Sequence, residues 1–425
     1  MLLFTLLACP VTETLTCAEG GSGTLQVVLN FPTESWETIP ALDVYGADGA
    51  FVARVEEGAS LDLPAGLYTL AARRGTVDSG GRVGRAFGLL DQTVQQVCVV
   101  DGDVAEWAGT WELQPSSEKL WVLSGEAAYG FDGDDLDGTA VDPALTIQVD
   151  LSNDLRGLAV DPLGNLWIAT SPTYDSRLLV YPPGGVDGSV TPLELGRELF
   201  GNGEQIVALT FDDKDQLWVL MRNTNAGTPE IWAFSPEQAL GFLGTGLLPT
   251  APSQRIIVEG MVAPDAMAVG PDDRLWIADF GGDQVLSVGV GAGVYADPLT
   301  VAPEQAFAGG WEDETGTHAL GGPTGLGFDG DGRLWVNYWT NPVLARFDVP
   351  ATGESLRAPD LLVDGSVLDL PAGLVLDRDG GVWYGNEPQD GAGELVSCDV
   401  DTGAERSRAR SADALAPTTL VFDPR

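Results

Sequence analysis

From residue 118 onward a tryptophan recurs at a fixed place in a repeated pattern, and that repeat constrains the fold more than any other feature. Each copy has a lead residue, an apolar run ending in Asp or an equivalent, a short turn, and a second apolar run that contains the Trp. The copies are Leu155–Ala169, Ile206–Leu220, Pro264–Ala278, Pro323–Asn337 and Pro371–Gly385. In every copy the lead residue stands 12 before its tryptophan: Trp167, Trp218, Trp276, Trp335 or Trp383. A unit this short cannot bury its own apolar faces, so the copies must stack on one another.

The two ends of the region complement each other. An orphan half-copy with Trp121 opens it at Glu118–Val122, and the missing half, Pro417–Arg425, closes the chain. Joined, they make a sixth copy with the Trp at the same offset. Successive Trp spacings are 46, 51, 58, 59 and 48, and the splice between last and first gives 46. A closed ring accounts for this, because sealing the circle protects strand edges. The expectation is an all-β chain: a six-bladed propeller over 115–425, with the C-terminal strand completing the first blade. The lead-residue run is strand A, innermost, and the Trp run is strand B. Strand C is expected at Arg177–Pro182, Glu230–Ser235, Gln284–Val288, Val343–Asp348 and Glu394–Asp399, and strand D at Arg255–Val258 and Leu361–Asp364. One Trp per blade buries roughly 150–250 Å², so these residues read as packing between blades.

Residues 18–114 differ. Short alternating runs at Thr24–Phe31, Ala41–Tyr45, Phe51–Val55, Gly66–Ala72 and Thr93–Val99 are separated by Gly- and Asp-rich turns. This spacing predicts a small β-sandwich. The run Leu61–Leu70 resembles a strand of transthyretin-like or carboxypeptidase-regulatory-like domains. The segment contains no His, and it reads as a spacer or adhesion module.

Charge removes several partners. The 425 residues carry 63 Asp and Glu against 21 Lys and Arg, a net charge of −42. Nucleic acid is excluded as a partner because backbone phosphates need a basic surface. Anionic lipid headgroups are disfavoured for the same reason. Residues 1–17 read as a signal or tether segment. Leu6-Leu7-Ala8-Cys9 resembles a bacterial lipobox, which implies an exported envelope lipoprotein held to a membrane through lipid on Cys9. In such a compartment Cys17 and Cys98 can pair, leaving Cys398 reduced and buried. No Cys or His spacing suits zinc.

The repeats themselves resemble NHL repeats and their six-bladed relatives, the SMP-30/gluconolactonase-like and virginiamycin B lyase-like propellers. Pro264–Val288 matches best, including Ile277-Ala278-Asp279 before the loop between strands B and C. The chain departs from these families where their chemistry sits. Arg177 alone fits the Arg that NHL repeats place at the start of strand C. The early Glu-Gly-Pro that supplies a metal ligand in the lactonase-like group is absent, and in place of the lyase-like histidines there is a single His318.

Propellers bind ligands on the face where strand A begins and strand B ends. The residues expected there are Asp154, Arg156, Gln205 and Asp265 before strand A. After strand B come Glu126, Thr170, Arg222, Asn223, Asp279, Asn337, Tyr338, Asn386 and Glu387. Among these, Asp279, Asn337, Asn386 and Glu387 are oxygen donors on the last three blades, the chemistry Ca²⁺ prefers, and form the candidate metal set. His318, with carboxylates near it in sequence, is the candidate catalytic base. The Asp-Gly pairs at Asp329–Gly332 and Asp377–Gly380 read as hairpin turns. Two functions follow. One is a monomeric, non-enzymatic envelope protein whose channel face binds a protein, glycan or small molecule. The other is a calcium-dependent hydrolase or lyase of the lactonase-like kind.

Overall fold

A computed structural model describes residues 17, 20–78, 84–91, 93–137, 141–149, 155–171, 176–195, 200, 204–223, 227–245, 251–289, 298–308, 310–313, 316–349, 358–364, 371–387, 393–410 and 417–423. The tether segment with its lipobox and Cys9 lies outside the described residues.

Among the described residues the repeats form six antiparallel blades. Their inner strands are Thr419–Asp423, Leu155–Val160, Glu204–Phe211, Pro264–Val269, Pro323–Phe328 and Pro371–Leu376, for blades I to VI in turn. Each inner strand touches the next, and the last touches the first, so the ring is closed. Closure occurs as the half-copies require. Thr419–Asp423 pairs antiparallel with Lys119–Ser124, placing Val421 opposite Trp121. Blade III departs from four strands. Leu299–Val301, from the excursion before blade IV's outer strand, adds in parallel to Gln254–Val258.

Hydrogen bonds explain why the Asp and Trp of the repeat keep a fixed spacing. Trp167 Nε1 donates to Asp161 at 2.9 Å, Trp218 to Asp212 at 3.0 Å, Trp335 to Asp329 at 3.1 Å and Trp383 to Asp377 at 2.8 Å. The same carboxylates accept backbone N–H groups of the A–B turn, as Asp161 does from Leu163 and Asn165. One acid therefore shapes the turn and satisfies the indole of a fully buried tryptophan. The Asp-Gly turns at 329–332 and 377–380 are these hairpins.

The N-terminal residues form three small sheets. Ser22–Asn30 lies between Val104–Thr110 and Ala59–Pro64. A second sheet runs Phe51–Val55, Ala41–Gly46, Gly66–Arg73 and Val94–Val99, and short strands make the third. Leu25, Val27, Leu42, Val44, Leu70 and Trp111 share a core of their own, and Cys17 is bonded to Cys98. Cys398 is free and buried in blade VI.

This module rests on the turn face of the propeller. Gln114 donates to the Leu163 carbonyl at 2.9 Å. Arg73 pairs with Asp215, Arg74 with Asp423, and Glu37 with Arg378 at 2.7 Å. Tyr45, Ala71 and Val94 pack with Leu163 and with Leu240 and Leu243 of the helix Pro236–Thr245. Asp215, Leu163, Arg378 and Asp423 all belong to A–B turns or their edges, at the end opposite the starts of strand A.

Candidate functional site: the channel mouth

The inner strands are not regular at their starts. The A–B register slips between Leu155 and Gly157, Ile206 and Ala208, Pro264 and Ala266, and Pro323 and Gly325. Each slip is a bulge one residue after the lead position, and a bulge re-aims its side chain. The bulged residues Arg156, Val207, Asp265 and Thr324 all line the central cavity, whose volume is about 250 Å³. Below them the wall is apolar, with Leu158, Leu209, Met267, Leu326, Leu374 and Leu420. The cavity is thus polar at the strand starts and oily within.

Two charged residues line the polar end, and a third acts on one of them electrostatically from the blade between. Arg156 comes from blade II and Asp265 from blade IV. Arg222, at the end of strand B in blade III, lies opposite Gln205 in the ladder. Burial pushes the Asp265 carboxyl above its usual range, while the Arg156 and Arg222 guanidiniums pull it back. Both arginines act on the one carboxyl. Thr324 completes the rim. Its hydroxyl lies 3.0 Å from Asn337 Oδ1 and 2.9 Å from the Pro371 carbonyl.

The candidate metal donors stand elsewhere in this network. Asp279 is fully buried. Its Oδ1 accepts from Val262 N–H at 3.2 Å and Ala263 N–H at 2.7 Å, and its Oδ2 from Val262 N–H at 3.0 Å and Gln284 Nε2 at 2.9 Å. A carboxylate offers about four lone-pair sites, and these bonds fill them. Asn337 is also buried, and it donates to the Gly373 carbonyl of the next blade at 2.7 Å. Asn386 donates to Glu394 at 3.3 Å, and Glu387 is exposed. The first three serve to tie loops and blades together, each with different partners. As a set the four do not fit a calcium shell, and no group of three His, Cys, Asp or Glu among the described residues would hold a metal.

His318 lies on a two-stranded hairpin inserted between blades IV and V, where its backbone pairs with Trp311; its side chain is outside the described ones. Asp154 is outside them too, as is the Asn223 side chain. Thr170 and Tyr338 are buried, Glu126 is exposed, and Gln205 is partly buried. Sequence reasoning names Arg156, Arg222 and Asp265 as mouth residues without singling them out. The signal that marks Arg156 and Asp265 is the position after the lead residue, which carries the bulge in blades II to V.

No family model and no curated protein sequence matches the chain. Solved structures do resemble it. One is a protein of unknown function from Bacteroides caccae, 11% identical, with 72% of this chain and 98% of that one covered and a TM-score of 0.50. Another is the periplasmic gluconolactonase of Pseudomonas aeruginosa, 13% identical, with 90% and 98% covered and a TM-score of 0.45. A third is virginiamycin B lyase from Staphylococcus aureus, 12% identical, with 61% and 71% covered and a TM-score of 0.35. At such identities the likeness speaks to the fold alone, and of the three the first reaches a TM-score of 0.50.

Proposed function

We propose that this is a binding protein of the cell envelope that takes a small ligand into the mouth of its propeller channel. One observation carries the reading. Bulged inner-strand residues present a polar rim over an apolar cavity, at the end of the ring away from the N-terminal module. A rim of fixed polar groups above an apolar floor is how small-molecule sites fix orientation and gain affinity together. The volume of about 250 Å³ lies just below the usual range for drug-sized ligands, so it favours a small molecule over a polymer. The disulfide between Cys17 and Cys98 supports an oxidising compartment, in keeping with export and a lipid tether at Cys9. The module on the turn face would hold the propeller with its mouth outward. The net charge of −42 supports a soluble monomer with no nucleic-acid partner. A calcium-dependent hydrolase or lyase is the weaker reading, since Asp279, Asn337 and Asn386 are held by the protein itself.

The test is a thermal-shift screen of small neutral and charged compounds on the full chain and on Thr418→Trp, which fills the cavity wall at a partly exposed position. Compounds that raise the melting temperature of the first and not of the second support the channel mouth. Compounds that stabilise both equally place the ligand elsewhere.

A further inference from the structure

A second place on the mouth face, outside the channel cavity, goes beyond the channel-mouth reading. We infer that Phe280 and Trp339 form a stacking platform for the sugar rings of a neutral glycan chain. Each stands four residues after its blade's tryptophan, Trp276 or Trp335, and is the first residue past strand B. Blades I, II, III and VI carry Gly125, Ser171, Arg222 and Glu387 at that place. Neighbouring blades bring equivalent positions together, so the two aromatics meet. Their ring centroids are 5.9 Å apart at 62°, edge to face. The loops beneath are held. Trp339 N–H donates to the Gly322 carbonyl at 2.8 Å, and Thr340 N–H to that of Gly321 at 3.0 Å. Gly322 N–H donates to Asp283 Oδ1 at 2.8 Å. A Cβ on Gly322, whose φ is +64°, would stand 2.7 Å from the Phe280 ring and from Thr340 Oγ1, so glycine is what lets these loops close on one another.

The platform is both open and fixed. Trp339 is 41% exposed. Val262, whose N–H bonds to Asp279 just before Phe280, is 57% exposed and extends the apolar surface. A ring already held in place loses little freedom when a ligand settles on it. Its size selects the occupant. Two-fifths of the roughly 150–250 Å² that an aromatic side chain can bury is about 60–100 Å². That matches the face of one sugar ring and falls far below the roughly 800 Å² per partner of a protein interface. The C–H face of a pyranose can lie on the negative face of the indole, while its hydroxyls reach Thr340, Asn341 and Asp283, exposed on the same two loops. Residues 260–263, 279–284, 320–323 and 339–342, which build the platform, include no Lys or Arg. They offer hydroxyl groups neutral and acidic partners and offer an anion no cation. The net charge of −42 opposes acidic glycans further. The surface is open, so a chain can pass over it, and contacts from several rings offset the cost of binding where one ring does not.

Saturation-transfer NMR titration of the full chain with cellohexaose, maltohexaose and glucose tests this. At least one hexaose should bind with a Kd on the order of 1 mM or tighter, and glucose about tenfold more weakly. Trp339→Ala should weaken the hexaose about tenfold or more. Trp339→Phe, which keeps a flat ring, should recover most of that loss and serves as the second variant if Ala disturbs the fold. Thr418→Trp, in the channel wall, should leave hexaose affinity unchanged. Failure of both hexaoses to bind, or equal affinity in wild type and Trp339→Ala, overturns the inference. Glucose binding as tightly as the hexaoses would mean a site for a free sugar and also overturns it. So does tetramethylammonium binding that depends on Trp339 while no hexaose binds, because the platform is then a cation site. If hexaose binding is lost in Thr418→Trp and kept in Trp339→Ala, the sugar lies in the channel, so the inference falls and the channel reading stands. If hexaoses bind through Trp339 while no compound in the thermal-shift screen separates wild type from Thr418→Trp, the inference stands and the channel reading falls.

Discussion

Arg74 of the N-terminal module pairs with Asp423, the last described residue of the strand that closes the ring. In blades II, III, V and VI the acid at this position accepts from its tryptophan. In blade I, Trp121 turns to the Ser116 carbonyl at 3.3 Å, and Asp423 is left for the arginine. Asp423 is fully buried and the Arg74 side chain is 11% exposed. The module therefore fastens the propeller's seam as well as resting on it.

Removing the arginine should expose this dependence. Arg74→Ala leaves a buried carboxylate without its cation, and breaking such a pair costs about 3–5 kcal/mol. Chemical denaturation is expected to show the loss in the propeller's tryptophan fluorescence, although Arg74 lies in the other module. A second change, Asp423→Asn, should recover a good part of it, because the stranded charge is gone. A loss confined to the N-terminal module would contradict the seam role.

Deleting 417–425 should be severe. Leu420, Val421 and Phe422 are buried in that strand, and burying each such side chain is worth roughly 1.5–3 kcal/mol. The deletion also unpairs the inner edge of Lys119–Ser124. We expect either no folded propeller or a melting temperature lowered by more than about 10 °C. A truncated chain that melts within a degree or two of the intact one would mean that the ring does not depend on its seal.

The Asp–Trp bond gives a third prediction. Asp161→Ala removes the acceptor of Trp167 and of two turn amides, so stability should fall by about 2–4 kcal/mol. Asp161→Asn keeps one acceptor oxygen and should cost less. Urea denaturation of both variants, followed by fluorescence, checks the order.

Why the fold was legible and the site less so follows from these same residues. Trp167, Trp218, Trp335 and Trp383 are large, buried and bonded to an acid six positions earlier, so packing and hydrogen bonding both fix their spacing. That leaves a periodic mark in the sequence. The closing strand was legible because its half-copy lacks a Trp that Trp121 supplies. The outer additions were not legible. Leu299–Val301 joins blade III in parallel from a distant excursion, and no local pattern records which edge a strand will find. The helix Pro236–Thr245 likewise breaks an all-β rhythm where the N-terminal module leans on it. At the mouth, polar residues after strand B look alike in sequence whether they face the channel or their own loop. Asp279 faces its loop and bonds Val262 and Ala263. Only the register slip, invisible in composition, turns Asp265 into the channel.

Reduction of the disulfide provides a fourth test. Cys17 and Cys98 are 81 positions apart with Cα atoms 5.6 Å from each other, and loss of a native bridge in a small domain typically costs about 2–5 kcal/mol. A Cys17→Ser, Cys98→Ser pair should lower the stability of the N-terminal module by that order. Because Arg74 links the module to the seam, the propeller's transition should move with it. Mass mapping of exported protein should find Cys98 bonded to Cys17 and Cys398 reactive only after unfolding.

The pH dependence of Asp265 tests the balance at the mouth. Burial raises its carboxyl above the usual value despite two neighbouring guanidiniums, so the folded state prefers the protonated form more than the unfolded chain does. Ionising it therefore costs stability. The cost is absent below the unfolded carboxyl range, sets in as the pH rises through it, and is complete above the folded value. Asp265→Asn is neutral throughout and escapes the cost. We expect the variant to gain stability over wild type on going from about pH 3 to about pH 8. Melting temperatures of the two proteins across that range, in buffer without carboxylates, measure the difference directly. If wild type instead gains on the variant as the pH rises, the attraction of Arg156 and Arg222 outweighs burial. In that case Asp265 would be a firmly ionised partner for both arginines and a stronger barrier to any incoming anion.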